Sequence, residues 1–121
     1  CPRRRFGRPA VSRDDLARLN DIQRALERID AHLSHGELSN ETVYDAVRMR
    51  LVEIGEAVAR LSTDVTDRTA DVPWRDIAAM RNHLVHQYFD TAFGIIHNTV
   101  VRELEPLRRA IGQLQRDLTT E

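Results

Sequence analysis

Apolar residues recur every three or four positions through most of the chain, which is the spacing of one buried face on an α-helix. Ser12 stands as an N-cap with Asp14 and Asp15 in the first turn, and Leu16, Leu19, Ile22, Leu26, Ile29 and Leu33 follow in register. This first helix is expected to stop near His35-Gly36, where glycine ends helices and a partly protonated histidine suits the C-terminal dipole, as at His32 and His35. Asn40 or Ser39 caps a second helix carrying Val43, Val47, Leu51, Ile54, Val58 and Leu61. Gly55 interrupts it at a cost of about 1 kcal/mol relative to Ala, which predicts a close helix crossing there.

Ser62 to Val72 is rich in Thr and Asp and lacks periodicity, so it is expected to be a loop. Pro73 opens a third helix over Trp74 to Phe89, since a first-turn proline loses no needed N–H. Asp90 or Thr91 caps a fourth with Ile95, Ile96, Val100, Val101 and Leu104. Pro106 must kink or break it before Leu107, Ile111, Leu114 and Leu118 resume the pattern. Trp74 is expected to be a packing anchor rather than a base-stacking platform. The implied fold is all-α, an antiparallel bundle of four to five helices over residues 13 to 121. Residues 1 to 12, with Pro2, Gly7, Pro9 and four Arg, show no periodicity and are expected to form a flexible arm.

Composition narrows the class. Aromatic residues are 5% of the chain, too few for strand runs, and charged residues are 31%, ordinary for a soluble globular protein. No apolar run approaches the ~20 residues of a membrane span. The single cysteine is Cys1, which excludes an internal disulfide and a thiolate metal site and points to a reducing, cytoplasmic setting. The net charge of −1 is unevenly spread, because residues 1 to 13 hold five Arg and no acid, leaving the body at about −6. Any contact with nucleic acid must therefore be local.

The chemistry concentrates on the third helix, in Met80-Arg81-Asn82-His83-Leu84-Val85-His86-Gln87-Tyr88-Phe89. At ~100° per residue Tyr88 lies about 20° around the axis from Arg81, and His86 about 40° from Asn82. Arg81, Asn82, His86 and Tyr88 thus share a sector of roughly 160°, with Ile77, Met80 and Leu84 on the other side facing the core. His83 has no place in that set and is expected at a surface or interface. His moves protons near neutrality, and Arg offers a permanently charged fork to phosphate oxygens.

Arg81-x-x-x-x-His86-x-Tyr88 resembles the motif of the HEPN toxins of the HepT-like type. Val52-Glu53-Ile54-Gly55-Glu56-Ala57 is similar to that family's second-helix signature, and Val72-Pro73-Trp74-Arg75-Asp76-Ile77 to its approach to the motif. The resemblance covers about residues 14 to 112. It implies a metal-independent endoribonuclease with a site composed at a homodimer interface and no cofactor. It implies that His86 is the general acid or base at the 2′-hydroxyl of RNA and that Arg81 stabilises the phosphorane-like transition state. Asn82 would orient the imidazole or contact phosphate. It also implies a toxin–antitoxin pair, in which a minimal nucleotidyltransferase antitoxin silences the toxin by adding AMP units to Tyr88. A rival reading keeps the fold as a non-catalytic helical adaptor, or as a nucleotide-binding partner of that nucleotidyltransferase.

Other chemistries find little support. His83, His86 and His97 with Asp90 lack the His-x-x-x-His or Glu-x-x-His spacing of a helical metal site. The chain has no glycine-rich phosphate loop and no Ser-His-Asp signature. Arg50, Arg60, Arg68 and Arg75 are expected to form a solvated surface rather than an RNA track.

Overall fold

A computed structural model of the chain describes residues 13–86 and 89–119, without the side chains of residues 89–91. The expected arm at residues 1 to 12 and the motif residue Tyr88 lie outside the described residues. Within them the fold is all-helical: α1 (Arg13–Leu33), α2 (Glu41–Ala59), a short α3 (Thr63–Asp67), α4 (Trp74–His86), α5 (Phe89–Asn98) and α6 (Leu104–Thr119), with a π-helical turn at Thr99–Glu103 joining the last two.

Helix α2 is the centre of the bundle, packed against α1 on one side and α4 on the other, while α1 in turn packs against α6. Its start is fixed by Asn40, whose side-chain oxygen accepts from the Val43 N–H at 3.1 Å, satisfying one of the open donors of a helix N-terminus. The apolar stripe expected from the sequence is the core: Leu19, Ile22, Leu26 and Ile29 of α1 meet Val47, Leu51 and Ile54 of α2, with Leu84, Ile96, Ile111 and Leu114 closing the far sides. Each such residue contributes about 1.5–3 kcal/mol by leaving water.

One sequence expectation needs correction. The stretch 62–72 is not a plain loop, since α3 lies within it. Buried Asp15 of α1 explains its placement: the carboxylate accepts from the Ser62 N–H at 3.0 Å and the Ser62 hydroxyl at 2.9 Å, pinning the residue that begins the short helix. The motif helix is described from Trp74 to His86, and α5 is described from Phe89 onward. Helix α2 reaches this helix near His86, where Arg48 donates from Nε to the Leu84 carbonyl at 2.8 Å and from an Nη as well.

The kink or break expected at Pro106 takes the form of an interruption of the α-helix at Thr99–Glu103. This π-helical turn precedes the proline, with the Leu104 N–H bonded back to the Thr99 carbonyl, and Pro106 falls in the first turn of α6. That position tolerates a missing N–H, so the wider turn absorbs the disruption the proline would cause inside a continuous helix.

Candidate active site

The position of α4 is set from its N-terminal end. Trp74 is buried, and its Nε1 donates to the Thr69 carbonyl at 3.2 Å and lies 3.1 Å from Thr69 Oγ1, so it anchors the incoming loop as the packing residue expected. The Pro73 carbonyl accepts the first helical bond, from Ile77 at 3.0 Å. Ile77, Met80 and Leu84 line the inward face, with Leu84 fully buried.

Gly55 is the point at which α2 and α4 cross. A Cβ placed there would sit 3.0 Å from Arg81 Cβ and 3.3 Å from the Ile77 carbonyl, so a side chain at 55 would push the Arg81 backbone outward. The expected close crossing is therefore present, and it is Arg81 that it brings against α2. The next residue along, Glu56, places a carboxylate oxygen 3.5 Å from Arg81 Nε. Arg81 Nη1 donates to Asn82 Oδ1 at 3.2 Å. One edge of the guanidinium is thus fixed by Glu56 and Asn82, while the side chain keeps 44% of its surface exposed. A half-exposed pair of this kind adds little stability, at most ~1 kcal/mol, so its value lies in aim.

Asn82 hence contacts Arg81. Among the described residues it makes no hydrogen bond to His86, the partner considered for it from the sequence. Asn82, His83 and His86 are all exposed, and His86 is the last described residue of α4. Arg48 holds the Leu84 carbonyl two residues before it, so α2 steadies both halves of the motif: Arg81 through Gly55 and Glu56, His86 through Arg48. Glu56 and Arg48 were not singled out from the sequence. Nothing local marks either, since the partner of Arg48 is 36 residues away and Glu56 meets Arg81 only where α2 and α4 cross.

Beneath Arg48 the packing is aromatic. Tyr44 of α2 stacks on Phe93 of α5 with centroids 5.8 Å apart, and Phe93 stacks on His97 at 6.1 Å. Burial raises the Tyr44 phenol above its ordinary 10.0, opposed in part by the positive charge of Arg48.

The geometry within one chain has a consequence for chemistry. Arg81 and His86 are five residues apart, about 140° around the axis and about 7.5 Å along it, so their side chains diverge. One phosphodiester is not readily gripped by the first and deprotonated by the second of the same helix.

The all-helical bundle thus presents a partnered arginine and an exposed histidine on one helix, groups whose chemistry suits phosphate and proton transfer. The sequence matches the family described as Ribonuclease HepT-like over residues 19–114, and the chain belongs to that family of ribonucleases. It is 30% identical over 97 residues to a protein of Caldanaerobacter subterraneus subsp. tengcongensis with a provisional RNase name, covering 79% of this chain and 86% of that one. A Methanocaldococcus jannaschii protein with a similar provisional name is 27% identical over 110 residues, covering 88% of this chain and 91% of its own. A Thermococcus cleftensis protein provisionally named ribonuclease HepT is 28% identical over 102 residues, covering 81% and 93%. No solved structure gives a significant match. No described helix is long and apolar enough to cross a membrane.

Proposed function

We propose that the chain is the endoribonuclease toxin of a toxin–antitoxin pair, acting in the cytoplasm as a homodimer, with Arg81 and His86 as its catalytic residues and Asn82 supporting Arg81. The observation that carries the assignment is the two-point hold of α2 on the motif helix, by Glu56 at Arg81 and by Arg48 at Leu84 beside His86. Packing alone does not call for fixing a half-exposed guanidinium next to an exposed imidazole.

The divergence of Arg81 and His86 around α4 supports a site shared between two copies, in which motif helices face each other and one cleft gathers Arg81 and a protonated and a neutral His86 from the two copies. Val85, an apolar residue 49% exposed between these polar neighbours, suits such an interface. In the reaction, one His86 takes the 2′-hydroxyl proton as the 2′-oxygen bonds to the adjacent phosphorus. The bond from phosphorus to the 5′-oxygen breaks, and that oxygen receives a proton from the second imidazole. Arg81 stabilises the extra negative charge on the pentacoordinate phosphorus. These groups complete the step with no further cofactor.

Tyr88 is the proposed control point. A nucleotidyltransferase antitoxin would join the Tyr88 oxygen to the α-phosphorus of ATP, releasing pyrophosphate. The AMP left on Tyr88, about 20° from Arg81 on the helical wheel, would fill the site and place a phosphate where RNA must enter.

The test is analysis of RNA products and of protein mass. Fragments ending in a 2′,3′-cyclic phosphate in the presence of a chelator, and an AMP adduct on Tyr88 that abolishes cleavage after co-expression with the nucleotidyltransferase, are expected. A folded dimer that yields no fragments and takes no adduct would instead point to a non-catalytic adaptor.

A further inference from the structure

A second cationic feature lies beside the site, in the groove between α1 and α2. This groove, about 330 Å³ in volume, is lined by Arg18, Asp21, Arg24 and Arg28 of α1, by Glu53 and Glu56 of α2, and by Arg60 just past its end. The arginines of α1 occupy a sector about 120° wide, with Arg24 and Arg28 only about 40° apart, and span about 15 Å along the helix from Arg18 to Arg28.

The acids in the groove are already engaged. Asp21 lies 3.2 Å from Arg18 Nε and is also bonded to Arg24. Glu53 is 3.0 Å from Arg50, and Glu56 is the partner of Arg81. Among the described residues Arg28 and Arg60 take part in no ion pair, and both are exposed. A protein with a net charge of −1 thus carries a local positive strip whose negative charges are spoken for.

Glu56 ties this strip to the chemistry, because the same residue lines the groove and holds Arg81. A polyanion gripped at Arg81 therefore finds the groove opening next to it. We infer that the α1–α2 groove binds the single-stranded RNA backbone flanking the cleaved bond, with Arg28 and Arg60 as its principal phosphate contacts. The inference rests on the ribonuclease reading above. It assigns the substrate a footprint longer than the reacting phosphate and places that footprint on α1, outside the motif helix. Arg60, exposed as expected, would gain a phosphate contact in addition.

The test uses the His86→Ala chain, so that RNA survives, and a labelled single-stranded oligoribonucleotide whose affinity is followed as salt is raised. Each phosphate contact on a single strand contributes about 0.7 to the slope of log affinity against log salt. Arg28→Gln with Arg60→Gln is expected to make that slope shallower by about 1.4. Arg102→Gln with Arg109→Gln, an equal loss of exposed charge elsewhere, is expected to leave it unchanged. An unchanged slope in the groove pair, or an equal fall in the control pair, overturns the inference. If that happens while the unsubstituted chain still cleaves RNA, only the groove is wrong. If the unsubstituted chain neither binds nor cleaves the oligonucleotide, the ribonuclease reading fails and the groove with it.

Discussion

The two ends of α4 are built to opposite purposes. At the start, Trp74 is buried and hydrogen-bonded to Thr69, and Ile77 and Arg81 lie against a residue of α2 that has no side chain at all. At the finish, Asn82, His83, Val85 and His86 are exposed, and among the hydrogen bonds of the described residues the tie to the rest of the molecule is the one from Arg48 to the Leu84 carbonyl. The difference teaches how a small bundle reconciles rigidity with access. His86 is exposed at the far end of the described helix, while the packing that orients α4 lies several residues earlier.

Substitutions that break this contrast should rank differently in stability and in activity. The largest effect on stability is expected for Trp74→Ala, which removes a buried aromatic side chain and its hydrogen bonds and should cost about 3–5 kcal/mol in urea denaturation. Gly55→Val comes next, at about 1–3 kcal/mol, because its side chain collides with Arg81 Cβ and the Ile77 carbonyl. Its cleavage rate should fall further than that loss implies, since it is Arg81 that is displaced. Arg48→Met keeps the bulk of the side chain but leaves the Leu84 carbonyl without its donors, for about 1 kcal/mol. That variant sharpens the comparison, because a marked fall in kcat with a small change in midpoint is expected. A fall in proportion to stability would mean that Arg48 only holds the fold.

The smallest effect is one of pH. Burial raises the folded-state pKa of Tyr44 above 10.0, so the contribution of its neutral phenol is complete below that value and is lost as pH rises through the folded pKa. Chemical denaturation in strong base should therefore show a decline that is reduced in Tyr44→Phe.

Most of the helices were legible in the sequence because an amphipathic stripe is a local signal. Asn40 as a cap, Gly55 as a crossing, and Ile77, Met80 and Leu84 as an inward face all follow from neighbours within a turn or two. The features that escaped are made by distant parts of the chain. The turn at Thr63–Asp67 depends on Asp15 reaching Ser62 across 47 residues, and the hold on the Leu84 carbonyl depends on Arg48 of α2. The motif itself was visible as spacing. The side chain that aims Arg81 was not, because Glu56 is an unremarkable surface acid until α2 and α4 are laid across each other.

The most direct measurement is the cleavage of RNA by the unsubstituted chain and by His86→Ala and Arg81→Ala at matched concentrations, with oligomeric state followed on the same samples. An exposed histidine should change stability by no more than ~0.5 kcal/mol, while loss of a general acid–base should slow cleavage by about 10²–10⁴-fold. Folded dimers of both variants with cleavage reduced on that scale are the expected result. Folded dimers that cut RNA as fast as the unsubstituted chain would contradict the assignment of the site to α4.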